Sequence, residues 1–191
     1  MGHSRADKRE HHDTIVGRAA SRIREDGVDR VGVADLMRDA GLTHGGFYRH
    51  FESRDELVAE AVERALHDGG QAMAAVAESP DDPLGAVIDA YLSVSHRDNL
   101  GTSCAVTTLA RDVAHSSPRA RTAYTNQVGI YIDMLVRLLP PGPGSRVTAI
   151  TALSTLVGAV SMARAVNDEA LSREILASAE TEMKAQLRAV R

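Results

Sequence analysis

The chain has 191 residues, 43% of them apolar, enough to bury a sizeable core in one or two small domains and too many for wholesale disorder. A formal net charge of -4 argues against a protein that coats nucleic acid indiscriminately, although a compact DNA-reading surface fits on an acidic molecule. Cys104 is the one cysteine, so no intrachain disulfide can form. The first 24 residues lack a continuous apolar stretch, and no later segment is expected to reach the length of a membrane span, so the expectation is a soluble, cytoplasmic protein with no membrane partner.

All six prolines lie at or beyond Pro80, at places that otherwise look like helix ends. Apolar residues recur at helical spacing and no alternating strand stands out, which predicts an all-α fold of about nine helices. A first helix is expected from about residue 4 or 8 to 26, with Ile15, Ala19 and Ile23 inward and Gly27 as its stop. A short second helix over 33–40 would bury Val33, Leu36, Met37 and Ala40, with Asp35 in its first turn where the helix dipole favours an acid. Gly41 and Leu42 then make a tight turn.

Thr43 suits the N-cap of a third helix running to about 51, in which Phe47 and Phe51 lie four apart and plug into the first two helices. Ser53-Arg54-Asp55-Glu56 reads as a capping box that opens a long fourth helix to about 77. Asp82 and Pro83 start a helix to about 95, 99–103 is a loop, and 104–114 a short helix. Ser117 and Pro118 repeat the cap-plus-proline signal before a helix to 139, whose second half is apolar on nearly every side and should be buried. After the break at 140–144, amphipathic helices are expected over 145–165 and 168–190, the last with the stripe Leu171, Ile175, Ala179, Met183 and Leu187.

Two short helices joined by a glycine turn, the second capped by threonine, make a helix-turn-helix. The stretch Gly41-Leu42-Thr43-His44-Gly45-Gly46-Phe47-Tyr48-Arg49-His50-Phe51-Glu52-Ser53-Arg54-Asp55-Glu56-Leu57 closely resembles the signature of the TetR family of one-component regulators, with the likeness strong over about 15–66 and architectural beyond. The resemblance implies a three-helix DNA-binding domain over 1–54 (about 8–67 with the start of the fourth helix) and a helical ligand-sensing and dimerisation domain over 68–191. It also implies double-stranded DNA as partner, a homodimer paired through the last two helices, an unidentified small-molecule effector and no cofactor.

The candidate DNA contacts are Thr43, His44, Gly45, Gly46, Tyr48, Arg49, His50 and Arg54. A reading helix brings its N-terminal amides against phosphate oxygens. Gly45 and Gly46 fit a close backbone approach to DNA, or else relief of crowding against the first helix. Tyr48 can stack on sugar or bond a phosphate, and Arg49 can reach a guanine edge in the major groove. His50 is either a phosphate donor or a packed residue, and Arg54, where the family usually has lysine, should pin the backbone at the start of the fourth helix. Gly32, His44 and Gly46 depart from the family's usual threonine, lysine and threonine, which weakens the expected phosphate grip. Arg5, Lys8, Arg9, Arg18, Arg22 and Arg24 outnumber Asp7, Glu10 and Asp13 and can compensate, or form a solvated face.

In the second half, Ala149, Ala152, Thr155, Gly158, Ala159 and Ala163 suit close packing of the penultimate helix. Cys104 at a helix start is either a reactive thiol or a small buried hydrophobe. An effector pocket would draw on Tyr91, Cys104, Thr108, Tyr124, Gln127, Val128, Tyr131 and Met162. His11 and His12 point different ways on a helix, with His3 too distant for a metal set, and read as solvated. No phosphate-binding loop, dinucleotide fingerprint or nucleophile elbow is present, so no enzyme is expected. The alternative is a small helical enzyme or ligand carrier whose first 66 residues merely pack, which would leave Tyr48, Arg49 and His50 unexplained.

Overall fold

The computed structural model describes residues 5–189, with side chains to residue 186; His3, Ser4 and Val190 lie outside them, as does the side chain of Leu187. Among the described residues there are ten α-helices, three short 3-10 turns and no strand. Helix α1 (Arg5–Asp26) leads through a turn at Val28–Arg30 to α2 (Val33–Asp39), a 3-10 turn at His44–Arg49, and α3 (Arg54–Val76). The second half holds α4 (Pro83–Tyr91), α5 (Val94–Asp98), a turn at Leu100–Thr102, α6 (Ala105–Thr108), α7 (Ala110–Ala114), α8 (Pro118–Leu138), α9 (Ser145–Ala165) and α10 (Glu169–Ala189).

The first helices form because their apolar residues recur every turn on one side. Ile15, Ala19, Ala20 and Ile23 are buried along α1, which lies against α3, where Leu57, Ala61, Val62 and Ala65 are buried in turn. Gly27 and Gly41 end their helices with φ of 85° and 72°, the left-handed region that an L side chain enters only with strain. Ser53 accepts from the Glu56 amide at 3.1 Å, and the Glu56 carboxylate reaches back to the Glu52 amide at 2.5 Å, one residue beyond the Ser53 amide of the reciprocal box expected. Asp82, Ser117 and Asp168 cap α4, α8 and α10 through the amides of Gly85, Ala120 and Ala170.

Several expectations change. The third element is a six-residue 3-10 turn rather than an α-helix, and Thr43 makes no side-chain cap bond; the adjacent glycines, costly in a helix, leave the short segment without enough local propensity for the α form. The helix expected to 95 stops at Tyr91, because the Ser93 side chain accepts from the His96 amide at 3.0 Å and starts α5 afresh. The one expected over 104–114 breaks at Leu109 into α6 and α7. These divisions raise the helix count above nine.

The second half of α8 is not wholly buried, since Ile130 is 56% exposed and Asp133 and Arg137 face outward. Helix α9 is long and apolar enough to cross a bilayer, with mean hydropathy 1.4 in its apolar stretch, which corrects the expectation that no segment comes near that length. Interspersed serines, threonines and alanines hid this. In the fold, Ala149, Leu156, Val160 and Ala163 are buried where α9 packs against α8 and α10. Buried side chains from Ile15 to Met183 form one continuous cluster, and α3 runs across the boundary expected near residue 67.

Candidate nucleic-acid interface

The turn at His44–Arg49 is held from within. Phe47 and Phe51 are 3% and 2% exposed, their rings 5.4 Å apart, beneath fully buried Met37 and next to Leu36. The Leu42 amide donates to the Met37 carbonyl at 2.8 Å, which ties the turn to α2. With Phe47 fixed inward, the next two residues must point out: Tyr48 is 74% exposed and Arg49 is exposed beside it. His44 and Gly45 are also exposed, Gly46 half-buried.

The two glycines are not there to relieve crowding. A β-carbon on Gly45 would meet nothing within 4 Å, and one on Gly46 only ordinary contacts with Met37 and Thr43. Neither has positive φ. A turn of six residues also has little macrodipole, so the amide-based phosphate grip expected of a full helix N-terminus is reduced here to the side chains and a bare backbone.

His50 and Arg54 sit further in. Arg54 donates to the Val28 carbonyl at 2.6 Å, so it pins the chain's own α1–α2 connection to the start of α3. His50 is half-buried, with its Nδ1 buried and unbonded, 6.4 Å from the His11 ring and 6.2 Å from the His12 ring. Burial and then the nearby His12 and Lys8 hold its pKa below the ordinary value. His12, read from sequence as solvated, stacks on Phe51 at 4.6 Å and bonds the Glu60 carboxylate at 2.7 Å. The His12–Glu60 bond joins residues 48 positions apart and so has no local signature.

Of the α1 and α2 cations, Arg22 is paired with Asp39 and Arg38 with Asp35, each at 2.5 Å. Arg24 is 7% exposed, where burial lowers its pKa, and its Nη1 lies 3.5 Å from the Ala65 carbonyl. Arg5, Lys8, Arg9 and Arg18 are exposed.

The pocket residues expected in the second half are brought together in part, and as a packed polar cluster. Tyr91 and Thr107 share a 2.7 Å hydrogen bond, the Cys104 thiol lies 3.5 Å from the Tyr131 hydroxyl, and Tyr124 donates to the Val106 carbonyl at 2.8 Å. Burial raises the pKa of all three tyrosines. Thr108 turns back to the Cys104 carbonyl, and Val128 is half-buried. Gln127 lies across Gly70, where a β-carbon would come within 2.7 Å of its Nε2, and that nitrogen is buried without a partner. Met162 is not brought to the cluster; it is 55% exposed on the outer face of α9. Cys104 is 4% exposed ahead of a four-residue helix too short to supply the dipole expected. His96, which the sequence did not single out, holds this cluster: its ring bonds both the Tyr91 carbonyl at 2.6 Å and the Cys104 amide at 3.0 Å.

A short helix, a glycine turn and a second element anchored by two phenylalanines beneath an exposed Tyr48-Arg49 pair define a helix-turn-helix protein in an all-helical frame. Residues 15–61 match the family model described as bacterial regulatory proteins, tetR family. That segment is the DNA-binding part of a TetR-family transcriptional regulator. It is 40% identical over 70 residues to the HTH-type transcriptional regulator TtgR of Pseudomonas putida, a match covering 36% of this chain and only 33% of that relative's own length. It is 27% identical over 170 residues to an uncharacterised HTH-type transcriptional regulator of Mycobacterium tuberculosis, covering 82% of this chain and 85% of the relative. The fold is shared with a TetR regulator from Chloroflexus aurantiacus (TM-score 0.80, 22% identity, 94% and 95% of the two chains) and with the reduced form of Escherichia coli NemR (TM-score 0.77, 18% identity, 92% and 97%).

Proposed function

We propose that this chain acts as a cytoplasmic repressor that binds a pseudo-palindromic operator as a two-fold homodimer and releases it when a small molecule or thiol modification acts on its second half. The observation that carries the reading is the exposure of Tyr48 and Arg49 on a turn whose flanking phenylalanines, Phe47 and Phe51, are buried. An aromatic hydroxyl and a guanidinium held outward together suit phosphate and guanine edges, and serve no purpose in packing.

A DNA-binding unit over 1–54 and a sensing and dimerisation unit over 68–191 follow from this reading. Pairing through α9 and α10 is supported by apolar side chains left on the surface there, Val147 at 68%, Ile150 at 44% and Leu171 at 43% exposure. Two-fold pairing sets the reading turns about 34 to 36 Å apart, one turn of DNA. The effector would enter at the cluster of Tyr91, Cys104, Tyr124, Gln127 and Tyr131, where the unbonded Gln127 amide is available to a ligand acceptor. Release requires only that the effector bind one of two dimer states better than the other.

The test is selection from a random DNA pool followed by anisotropy. A palindromic site should emerge, and Arg49→Ala should weaken it by about 1–3 kcal/mol while relaxing preference at one base position. Failure to recover any palindromic site refutes the reading.

A further inference from the structure

The end of α1 and the start of α3, both within the DNA-binding segment 15–61, line one cleft with the end of α7 and the start of α8. It encloses about 550 Å³, within the range of small-molecule sites. The Val28 peptide in its lining is clamped on both sides, its amide donating to the Asp112 carboxylate at 2.9 Å and its carbonyl accepting from Arg54 at 2.6 Å. Asp112 and Arg54 are thereby occupied. The other charged groups of the lining are exposed, and among the described residues the side chains of Asp26, Asp29, Arg30, Asp55, Arg111 and His115 form no hydrogen bond or ion pair. They divide by wall. The DNA-binding segment contributes three carboxylates against the one guanidinium of Arg30, whereas the second half contributes Arg111 and His115 and no uncommitted acid.

We propose that this cleft is a second effector site and that it takes a zwitterion, a free amino acid or short peptide. The ligand's ammonium meets the carboxylates of the DNA-binding segment, and its carboxylate meets Arg111 and His115 of the second half. The effector role rests on the regulator reading above; the binding site does not. Ligands of simpler charge fit less well. Among the described residues no group of three or more His, Cys, Asp or Glu side chains could hold a metal ion. A plain anion meets three like charges on one wall, and a plain cation meets Arg111 on the other. A molecule carrying both charges makes a charge-assisted hydrogen bond to each wall. Val28 and Val58, buried apolar residues in the same lining, suit a short aliphatic side chain. Such a bridge lies beside the Val28–Asp112 bond and adds a tie between the α1–α2 connection and the second half. It holds the two in one relation, so DNA affinity changes with its occupancy.

The test is thermal unfolding of the full chain with each free amino acid, with diglycine and with dialanine, beside the N-acetylated and the amidated form of each compound that binds. A free compound at about tenfold its dissociation constant should raise the midpoint by about 3 to 6 °C. Either blocked form, having lost one charge, should raise it by less than half as much. Arg111→Gln and Asp29→Asn, one from each wall, remove no bond from the free protein, so each should keep the unliganded midpoint and lose the shift. In anisotropy on the selected DNA site, the same compound should change wild-type affinity by about fivefold or more and leave that of both variants unchanged. No shift from any free compound, a blocked form that shifts the midpoint as far as the free one, or a shift that survives in either variant overturns the site. A compound that shifts the midpoint but leaves wild-type DNA affinity unchanged overturns the effector role. A chain that binds no DNA refutes the regulator reading and removes the effector role with it, while the unfolding shifts still decide the site.

Discussion

Replacing His96 by phenylalanine removes the one side chain that joins α5 to the Cys104 cluster through two hydrogen bonds. Its ring sits 4.6 Å from that of Tyr91, with Nδ1 2.6 Å from the Tyr91 carbonyl and Nε2 3.0 Å from the Cys104 amide nitrogen. One nitrogen must accept from an amide, so the ring is neutral and carries its proton on Nδ1. Phenylalanine keeps the ring contact but strands a carbonyl and an amide, at about 1–3 kcal/mol each. The sum, about 2 to 6 kcal/mol, lowers the thermal midpoint of a chain of this size by about 4 to 24 °C.

Acid should act on the same residue. Burial lowers the His96 pKa below its ordinary value, outweighing the Tyr91 carbonyl that favours the proton, and the Arg164 charge lowers it further. The unfolded chain therefore takes up this proton first as pH falls through about 6.5. In that window the unfolded state holds more protons, so the stability present above about pH 6.5 drains away as pH falls toward the folded pKa. Thermal unfolding followed by circular dichroism from about pH 8 to pH 5 reads both effects. The variant should start less stable and lose less on acidification; a midpoint within about 2 °C of wild type at neutral pH refutes the role assigned to the two bonds.

Gly45→Ala should leave stability unchanged or raise it by up to about 1 kcal/mol, because the new methyl meets open space, and should weaken DNA binding in an anisotropy titration if the backbone approaches phosphate there. Unaltered DNA affinity would remove that reason for the glycine. Asp112→Ala deletes the acceptor for the Val28 amide, a 2.9 Å bond between α7 and the α1–α2 connection, and should cost about 1–3 kcal/mol in urea denaturation. Cys104→Ser should leave DNA binding intact; if the variant is still released from DNA by oxidants as readily as wild type, thiol sensing at this residue is ruled out. Ile150→Glu should leave a folded monomer by sedimentation, and a wild-type chain that already sediments as a monomer refutes pairing through α9 and α10.

Much of the frame was legible because its signals are local. The stops at Gly27 and Gly41, the caps at Ser53, Asp82 and Ser117, and the four-residue spacing of Phe47 and Phe51 each act within one or two turns of chain. Periodicity alone placed α9 correctly over Ser145–Ala165. It could not place Met162, because an apolar residue on a helix reads the same whether it faces a core or is left on a surface for another chain.

Sequence by itself determined the helical architecture, the helix-turn-helix and the outward Tyr48-Arg49 pair, since turn chemistry and the inward phenylalanines dictate them. Tertiary structure decided what the reading turn's neighbours do. It set His12 between Phe51 and Glu60, turned Arg54 onto the Val28 carbonyl, and left His50 facing the cations of α1. It also made His96 the link between Tyr91 and Cys104. These contacts join residues up to 48 positions apart, and a histidine or arginine carries no local mark of which distant carbonyl, carboxylate or ring the packing of helices will bring to it.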